Sequence, residues 1–422
     1  MMTLGWAPSM TATTLLVVPR SMPMIGDLLL MPKEMQPACQ RPGRPRPAPP
    51  ADPGAMRRAR RPPPAVLAAG GWGRRRYPRA PAMPTNDVNA RMPDLRRAID
   101  AVAAAMPLVR LMGATLRDVP PVEKGDGSPV TAADFAAQAV VVDVLRRTSP
   151  DGRVPLVGEE SAAGLASARR PDVERLVVDA VRATLGWRDR AAAIAAVDGD
   201  APRAGEPFWT VDPIDGTKGF VLGEQCSVCL ALIEGARAAV GAIGCPRMGP
   251  AGDLGVHLGG PGALYAAAAG VGAFELDGAR RVLRRLVQAE WRATSLRWAR
   301  SHNRSAVPAP SRLERRLAAL APIDETRLDS QCKYAFAARG DADLVLRMPR
   351  AVGVHESIWD HAPGAVIAAE AGLTVLDAEG APLDFSTGAQ MRANRGIVCA
   401  APGLAPAVID AIRAVRREED SP

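Results

Sequence analysis

No apolar run in this 422-residue chain reaches the ~18 residues that a membrane-spanning helix needs, so none is expected. Cysteine is sparse: the six cysteines, at positions 39, 226, 229, 245, 332 and 399, are scattered along the chain. That spread argues against a disulfide framework and for reduced thiols in a cytosol or stroma. Cys226 and Cys229 form a C-x-x-C, yet no second pair and no nearby His completes a zinc site. Within the apolar run 226–233, positions three apart on a strand face opposite sides, so the pair reads as two small buried hydrophobes. There is no internal repeat of solenoid period.

What is present is the composition of a globular protein, with 47% hydrophobic residues and length enough for two or three domains. The net charge of +8 is unevenly placed: residues 1–86 hold 13 Lys or Arg against three acids, which leaves −2 for the rest. That leader is rich in Met, Pro and Arg without sustained apolar periodicity, and it reads as disordered. A start codon placed too early (Met83 and Met92 precede the first convincing helix), an organelle transit peptide and a nucleic-acid-binding tail all account for it. Its basic runs have almost no interleaved aromatics, which makes the third the weakest. A secretory signal is disfavoured, because the segment around Met24 to Met31 is short and contains Asp27.

Periodicity predicts helices over 94–117 and 131–145, with a capped start at Thr131-Ala-Ala-Asp134, and a short strand over 154–157. Helices over 173–185 and 188–197 form a variable excursion. Strands follow near 208–211, 226–233, 239–244, 264–267 and 272–276. The second half reads as strand 296–300, helix 313–320, helix 333–338, strand 343–346, a helix from Trp359 to Ala371 and a last helix 406–416. Helices and strands mixed without a βαβα repeat predict a layered α+β architecture. The divisions are a leader over 1–90, an N-terminal sub-domain over 91–290, a C-terminal α/β sub-domain over 291–416 and a tail over 417–422.

The chemistry centres on Trp209-Thr-Val-Asp-Pro-Ile-Asp-Gly-Thr-Lys-Gly-Phe220. A β-rich approach ending in Asp-Pro and then Gly-Thr reads as a strand that stops in a tight turn, aiming Asp212 and Asp215 into one cleft. Hard divalent cations want carboxylate and carbonyl oxygens, and phosphate wants backbone N–H donors at a helix start. Asp134, Glu159–Glu160 and Asp360 also sit at element ends. Singly, a helix cap or a solvated loop end accounts for each; together they can converge.

Four segments carry a likeness: Lys124-Gly-Asp-Gly-Ser-Pro-Val-Thr-Ala-Ala-Asp134, Val157-Gly-Glu-Glu-Ser161, Asp212 to Thr217, and Trp359-Asp-His-Ala-Pro-Gly364. In this order and spread, over roughly residues 93–415, the chain resembles the inositol monophosphatase superfamily. The Lys218-Gly-Phe220 extension, Ser301-His302, Ser330-Gln-Cys-Lys-Tyr334 and Val345-Leu-Arg-Met-Pro349 make it most similar to the 3′(2′),5′-bisphosphate nucleotidase branch. The resemblance implies an αβαβα sugar-phosphatase-type fold of two sub-domains and two or three Mg²⁺ held by Glu159, Asp212, Asp215, Asp360 and the Ile214 carbonyl. It implies that Asp134 and Thr217 activate water. Gly216, Thr217, His302, Ser330, Lys333, Arg347 and Asp360 would contact substrate.

The expected reaction is hydrolysis of 3′-phosphoadenosine 5′-phosphate to AMP and phosphate. A phosphatase of inositol phosphates or another sugar phosphate is the alternative, and a weakly catalytic nucleotide sensor the alternative of another class. The expected partner is a small bisphosphorylated nucleotide, with neither nucleic acid nor membrane. Oligomeric state is left open, a monomer being compatible. The expected compartment is the cytoplasm, or a plastid or mitochondrion if the leader is a transit peptide.

Overall fold

Apolar residues on both faces of one strand require cover on both faces, and that requirement explains how this chain is layered. Along residues 227–234, Val228, Leu230 and Leu232 enter one core while Cys229, Ala231 and Ile233 enter another. The computed structural model describes residues 88–115, 121–123, 129–186, 189–249, 260–278, 280–302, 311–348 and 353–419. The basic leader with Cys39 and Met83, and residues 124–128 of the first motif, lie outside them.

In chain order the described elements are α1 (Val88–Thr115), β1 (Val122–Glu123), β2 (Pro129–Val130), α2 (Ala132–Thr148), β3 (Leu156–Gly158), α3 (Ala162–Ser167), α4 (Pro171–Leu185), α5 (Arg190–Ala195), β4 (Phe208–Asp215) and α6 (Thr217–Val221). They continue with β5 (Ser227–Glu234), β6 (Arg237–Cys245), β7 (Ala263–Ala268), β8 (Gly272–Leu276), β9 (Val282–Leu286), β10 (Leu296–Arg300), α7 (Arg312–Ala318), β11 (Ile323–Arg327), α8 (Cys332–Ala338), β12 (Leu344–Arg347), α9 (Ala362–Glu370), β13 (Thr374–Leu376), β14 (Ile397–Ala400) and α10 (Ala405–Glu419). A seven-stranded sheet runs β3-β4-β5-β6-β7-β8-β9, and a five-stranded sheet runs β11-β10-β12-β14-β13.

Three cores stack these sheets into five layers. Residues of α1 and α2 pack on one face of the large sheet. On its other face, α8 and α9 share a core with Cys229, Ala231 and Ile243, and that core reaches Ala299, Val345 and Cys399 of the small sheet. The far face of the small sheet, through Leu296, Leu344 and Val398, is covered by Leu317 of α7 and by Val408, Ile409 and Ile412 of α10. The order is αβαβα, as the resemblance implies. Close approach is made possible by glycine: a Cβ on Gly241 of β6 would lie 2.4 Å from Val366 Cγ1 and 2.7 Å from the Pro363 carbonyl of α9.

The structure departs from the sequence reading in several places. β10, β11 and β12 pair in parallel through α7 and α8, so a βαβαβ run does exist in the second half. It goes unseen because β11, Ile-Asp-Glu-Thr-Arg, is an edge strand with little buried apolar surface. The edge strand β9 is mostly exposed, and β13 and β14 span only three and four residues, too short for a period to register. The last helix runs to Glu419, three residues into the segment read as a tail, because Arg416 and Arg417 prolong it favourably at its C-terminal end. Cys226 and Cys229 do fall in opposite cores, and burial pushes the Cys226 thiol up to about 12. Among the described residues no helix is long and apolar enough to cross a membrane.

The Gly241 contact gives a test of the layering. Gly241→Ala should lower stability by ~1–3 kcal/mol, the usual cost of overpacking a fitted core, read as a shifted denaturant midpoint. An unchanged midpoint would show that α9 does not lie against β6 as described.

Candidate active site

Regular strand geometry would send Asp212 and Asp215 to opposite faces, since they stand three residues apart. The pairing of β4 with β5 resolves this: Asp212 opposes Cys229 and Asp215 opposes Ser227, so three steps on β4 match two on β5. One extra residue is therefore bulged out between the two carboxylates. Pro213 sits within the bulge, where its missing N–H costs no ladder bond. The strand thus continues through Asp-Pro to Asp215 instead of ending at a turn before it.

β3 runs parallel to β4, with Gly158 opposite Val211, and the Glu159 N–H donates to the Val211 carbonyl at 3.1 Å. Glu159 is thereby set beside Asp212. Gln138, on α2, clamps this turn: its side chain donates to the Glu160 and Val197 carbonyls at 2.7 and 2.9 Å and accepts from the Glu160 N–H at 3.1 Å. One turn earlier on α2, Asp134 closes a capping box with Thr131, whose N–H and hydroxyl donate to Oδ2 at 2.8 and 2.6 Å. The Thr217 hydroxyl is shared between Asp134 Oδ1 at 3.3 Å and the Ile214 carbonyl at 3.0 Å. Asp134 and Thr217 are therefore in contact across 83 residues of sequence.

Asp360 arrives from the other half, just before α9, whose N-cap is His361, so Asp360 itself is no cap. Carboxylate oxygens of Asp212, Asp215 and Asp360 lie within 4.8 Å of one another. Burial raises all three above the ordinary carboxylate range. For Asp212, Glu159, Asp215 and Asp360 add to the rise, and for Asp360, Asp215 and Glu159 do. Asp215 is raised to about 6 by burial, with Lys333 and the Gln331 N–H pulling the other way. Like charges at this spacing, Asp212 buried and Asp215 and Asp360 partly so, need cations, and an all-oxygen donor set suits a hard ion such as Mg²⁺.

The remaining predicted residues gather around the same cleft of about 1010 Å³, which is lined by Glu159, Asp215, Gly216, Thr217, His302, Ser330, Lys333, Arg347 and Asp360. Gly216 takes φ +86°, which only glycine adopts freely, and a Cβ there would stand 3.0 Å from the Ser330 Cβ. Lys333 is placed by its ammonium donating to the Ser330 carbonyl at 2.8 Å. Arg347 Nε donates to Glu356 at 2.9 Å. His302 is exposed at the rim, and its N–H donates to Asp329 at 2.9 Å. Asp134, Asp212 and Ile214 are buried behind the lining.

Three supporting residues escaped the sequence reading. The Gln331 N–H donates to Asp215, while its side chain donates to the Trp359 carbonyl at 2.8 Å and accepts from the Gly364 N–H at 2.9 Å. It thereby ties β4 to the start of α9. Buried Arg247 donates to the Phe220 and Glu224 carbonyls at 3.1 and 2.5 Å and stands 5.0 Å over the Phe220 ring, bracing the end of α6. Glu356 holds Arg347. Gln331 lies within the Ser330–Tyr334 segment but its type points to no role, Arg247 gives no signal in sequence, and Glu356 stands four residues before Asp360 as an acid outside any motif.

The model of the inositol monophosphatase family matches residues 95–417. The chain belongs to the inositol monophosphatase family. Among curated relatives, the 3′(2′),5′-bisphosphate nucleotidase of Emericella nidulans is 36% identical over 325 residues, covering 70% of this chain and 90% of that protein. The 3′,5′-bisphosphate nucleotidase 2 of Arabidopsis thaliana is 33% identical, covering 78% of this chain and 98% of that one. Among solved structures, the IMPase of Thermotoga maritima superposes with a TM-score of 0.53 at 19% identity, over 78% of this chain and 99% of that one; at that identity it speaks for the fold alone.

The raised carboxylates carry a signed prediction. Asp215 binds its proton near pH 6 when folded against an ordinary 3.8. Without cations, stability should therefore rise as pH falls through this window and be lost as it climbs back. In chelator, the thermal midpoint should increase from about pH 7 to about pH 5, and Mg²⁺ at pH 7 should restore it. A midpoint that responds to neither pH nor Mg²⁺ would contradict the arrangement.

Proposed function

We propose that the chain is a Mg²⁺-dependent 3′(2′),5′-bisphosphate nucleotidase that hydrolyses 3′-phosphoadenosine 5′-phosphate to AMP and phosphate. The observation that carries this reading is a partly buried carboxylate set in a cleft that Lys333 and Arg347 also line, both close enough to act on Asp215. A monophosphate needs the first feature only; a second, non-reacting phosphate needs the second. The names of the relatives support the same substrate class.

In this reading Glu159, Asp212, Asp215, Asp360 and the Ile214 carbonyl hold two or three Mg²⁺. When bound there, Mg²⁺ supplies a water of lowered pKa and a counter-charge for the leaving oxygen. The chain's own groups do the rest. Thr217 Oγ1 accepts a hydrogen of the attacking water, and Asp134, in contact with that hydroxyl, takes up the proton released. The N–H groups of Gly216 and Thr217, at the start of α6, receive the reacting phosphate oxygens. The water oxygen bonds to phosphorus, the ester bond to the ribose 3′ oxygen breaks, and that oxygen takes a proton from solvent water while Asp134 returns to solvent the one it took up. Ser330, Lys333 and Arg347 hold the second phosphate, and His302 meets the base at the rim. The divisions read at 91–290 and 291–416 would then contribute the metal ligands and the second-phosphate wall respectively, with Asp360 crossing between them. The described cysteines are free and buried, which supports a reducing compartment such as the cytoplasm.

Phosphate release with Mg²⁺ should be fastest from adenosine 3′,5′-bisphosphate, and slower from inositol 1-phosphate and fructose 1,6-bisphosphate. Preference for inositol 1-phosphate would favour the sugar-phosphatase reading, and binding without turnover the sensor. Asp215→Asn should reduce kcat by at least ~100-fold, the scale of a lost electrostatic catalytic group, while the circular dichroism spectrum is unchanged. Near-normal turnover in that variant would remove Asp215 from the site.

A further inference from the structure

Arg347 is gripped in an unusual way for a residue facing an anion site. Its Nε donates to Glu356 Oε1 at 2.9 Å, and among the described residues no other hydrogen bond reaches the guanidinium. The two terminal nitrogens, the pair that matches a phosphate edge, make no hydrogen bond among the described residues, and Arg347 lines the cleft. Glu356 is itself backed. Its Oε2 lies 3.5 Å from His361 Nε2, and His361 Nδ1 lies 2.9 Å from the Tyr334 hydroxyl. Tyr334 and His361 are buried with their rings edge to face. Tyr334 packs closely on Gly364, where a Cβ would stand 2.3 Å from its Cδ2. The run Tyr334–His361–Glu356–Arg347 therefore anchors one guanidinium in the packed layer of α8 and α9.

The anchoring has a competitor. Asp360 and Asp215 both exert an attractive pull on Arg347. Released from Glu356, a long side chain with several free torsions would lose its fixed aim at the second phosphate, while at saturating Mg²⁺ those carboxylates keep their cations. Glu356 keeps the cation that serves the second phosphate apart from the anions that serve the first.

We propose that Glu356, backed by His361 and Tyr334, is a positioning residue that presents Arg347 to the second phosphate and so sets the preference for bisphosphorylated over monophosphorylated substrates. This rests on the nucleotidase reading above. Replacing the carboxylate removes a charge-assisted hydrogen bond and leaves the reacting-phosphate wall untouched.

The test is steady-state kinetics of the full chain at saturating Mg²⁺ with adenosine 3′,5′-bisphosphate and adenosine 3′-monophosphate. Glu356→Ala should raise KM for the bisphosphate about tenfold, the scale of one lost hydrogen bond to a charged group, with kcat within about twofold. Its kcat/KM on the monophosphate should stay within about twofold of wild type. Glu356→Gln, which keeps an acceptor for Nε, should fall between the two and serves where the alanine variant folds poorly. In an Arg347→Ala background the Glu356 substitution should add nothing further. Equal losses on both substrates, an unchanged KM, or losses that add to those of Arg347→Ala overturn the proposal. A wild-type enzyme with no preference for the bisphosphate instead overturns the nucleotidase reading, and the inference falls with it.

Discussion

Asp212, Asp215 and Asp360 bring ligand oxygens within 4.8 Å of one another in a partly buried cleft, with Glu159 beside them, and this concentration of like charge is the constraint on which the rest depends. Burial alone raises each of the three aspartates, and their mutual repulsion raises Asp212 and Asp360 further. A fold that keeps such groups together must hold them by means other than their own attraction. The means are backbone devices. A bulge turns two residues of β4 the same way, a parallel neighbour sets Glu159 in register, and Gln331 joins the strand end to the start of α9, its N–H on Asp215 and its side chain on Trp359 and Gly364.

The five-layer stack explains why those devices meet. α8 and α9 lie between the two sheets, so the segment before each helix, Ser330-Gln331 and Trp359-Asp360, reaches the same edge as the end of β4. Gly241 and Gly364 remove the side chains that would hold these layers apart. On the opposite flank, α2 carries Asp134 to Thr217 and Gln138 to the Glu159–Glu160 turn from a single helix face, one turn apart. Packing and chemistry are here the same contacts: the side chains that close the core also aim the carboxylates.

Much of this was legible in the residues. The acids of the candidate site lie in short segments with their own local logic, such as Thr131 to Asp134 as a capping box, and the layered α+β architecture is read from helices and strands mixed along the chain. What was not legible depends on partners distant in sequence. The bulge exists only in the register between β4 and β5, so Asp212-Pro-Ile-Asp215 alone implied a turn. Gln331, Arg247 and Glu356 act through carbonyls or charges supplied by other elements. β9 and β11 were missed because edge strands bury little apolar surface, and with β11 went the parallel βαβαβ run.

Burial holds protons on the carboxylates of the cation-free site, and these yield to cations. Isothermal titration of Mg²⁺ into chelator-treated protein near pH 6, repeated in buffers of different ionisation enthalpy, reads this directly as protons released per ion. Burial raises Asp212, Asp215 and Asp360, so a net release of protons on Mg²⁺ binding is expected. Binding with no proton release, or no binding, would contradict the account.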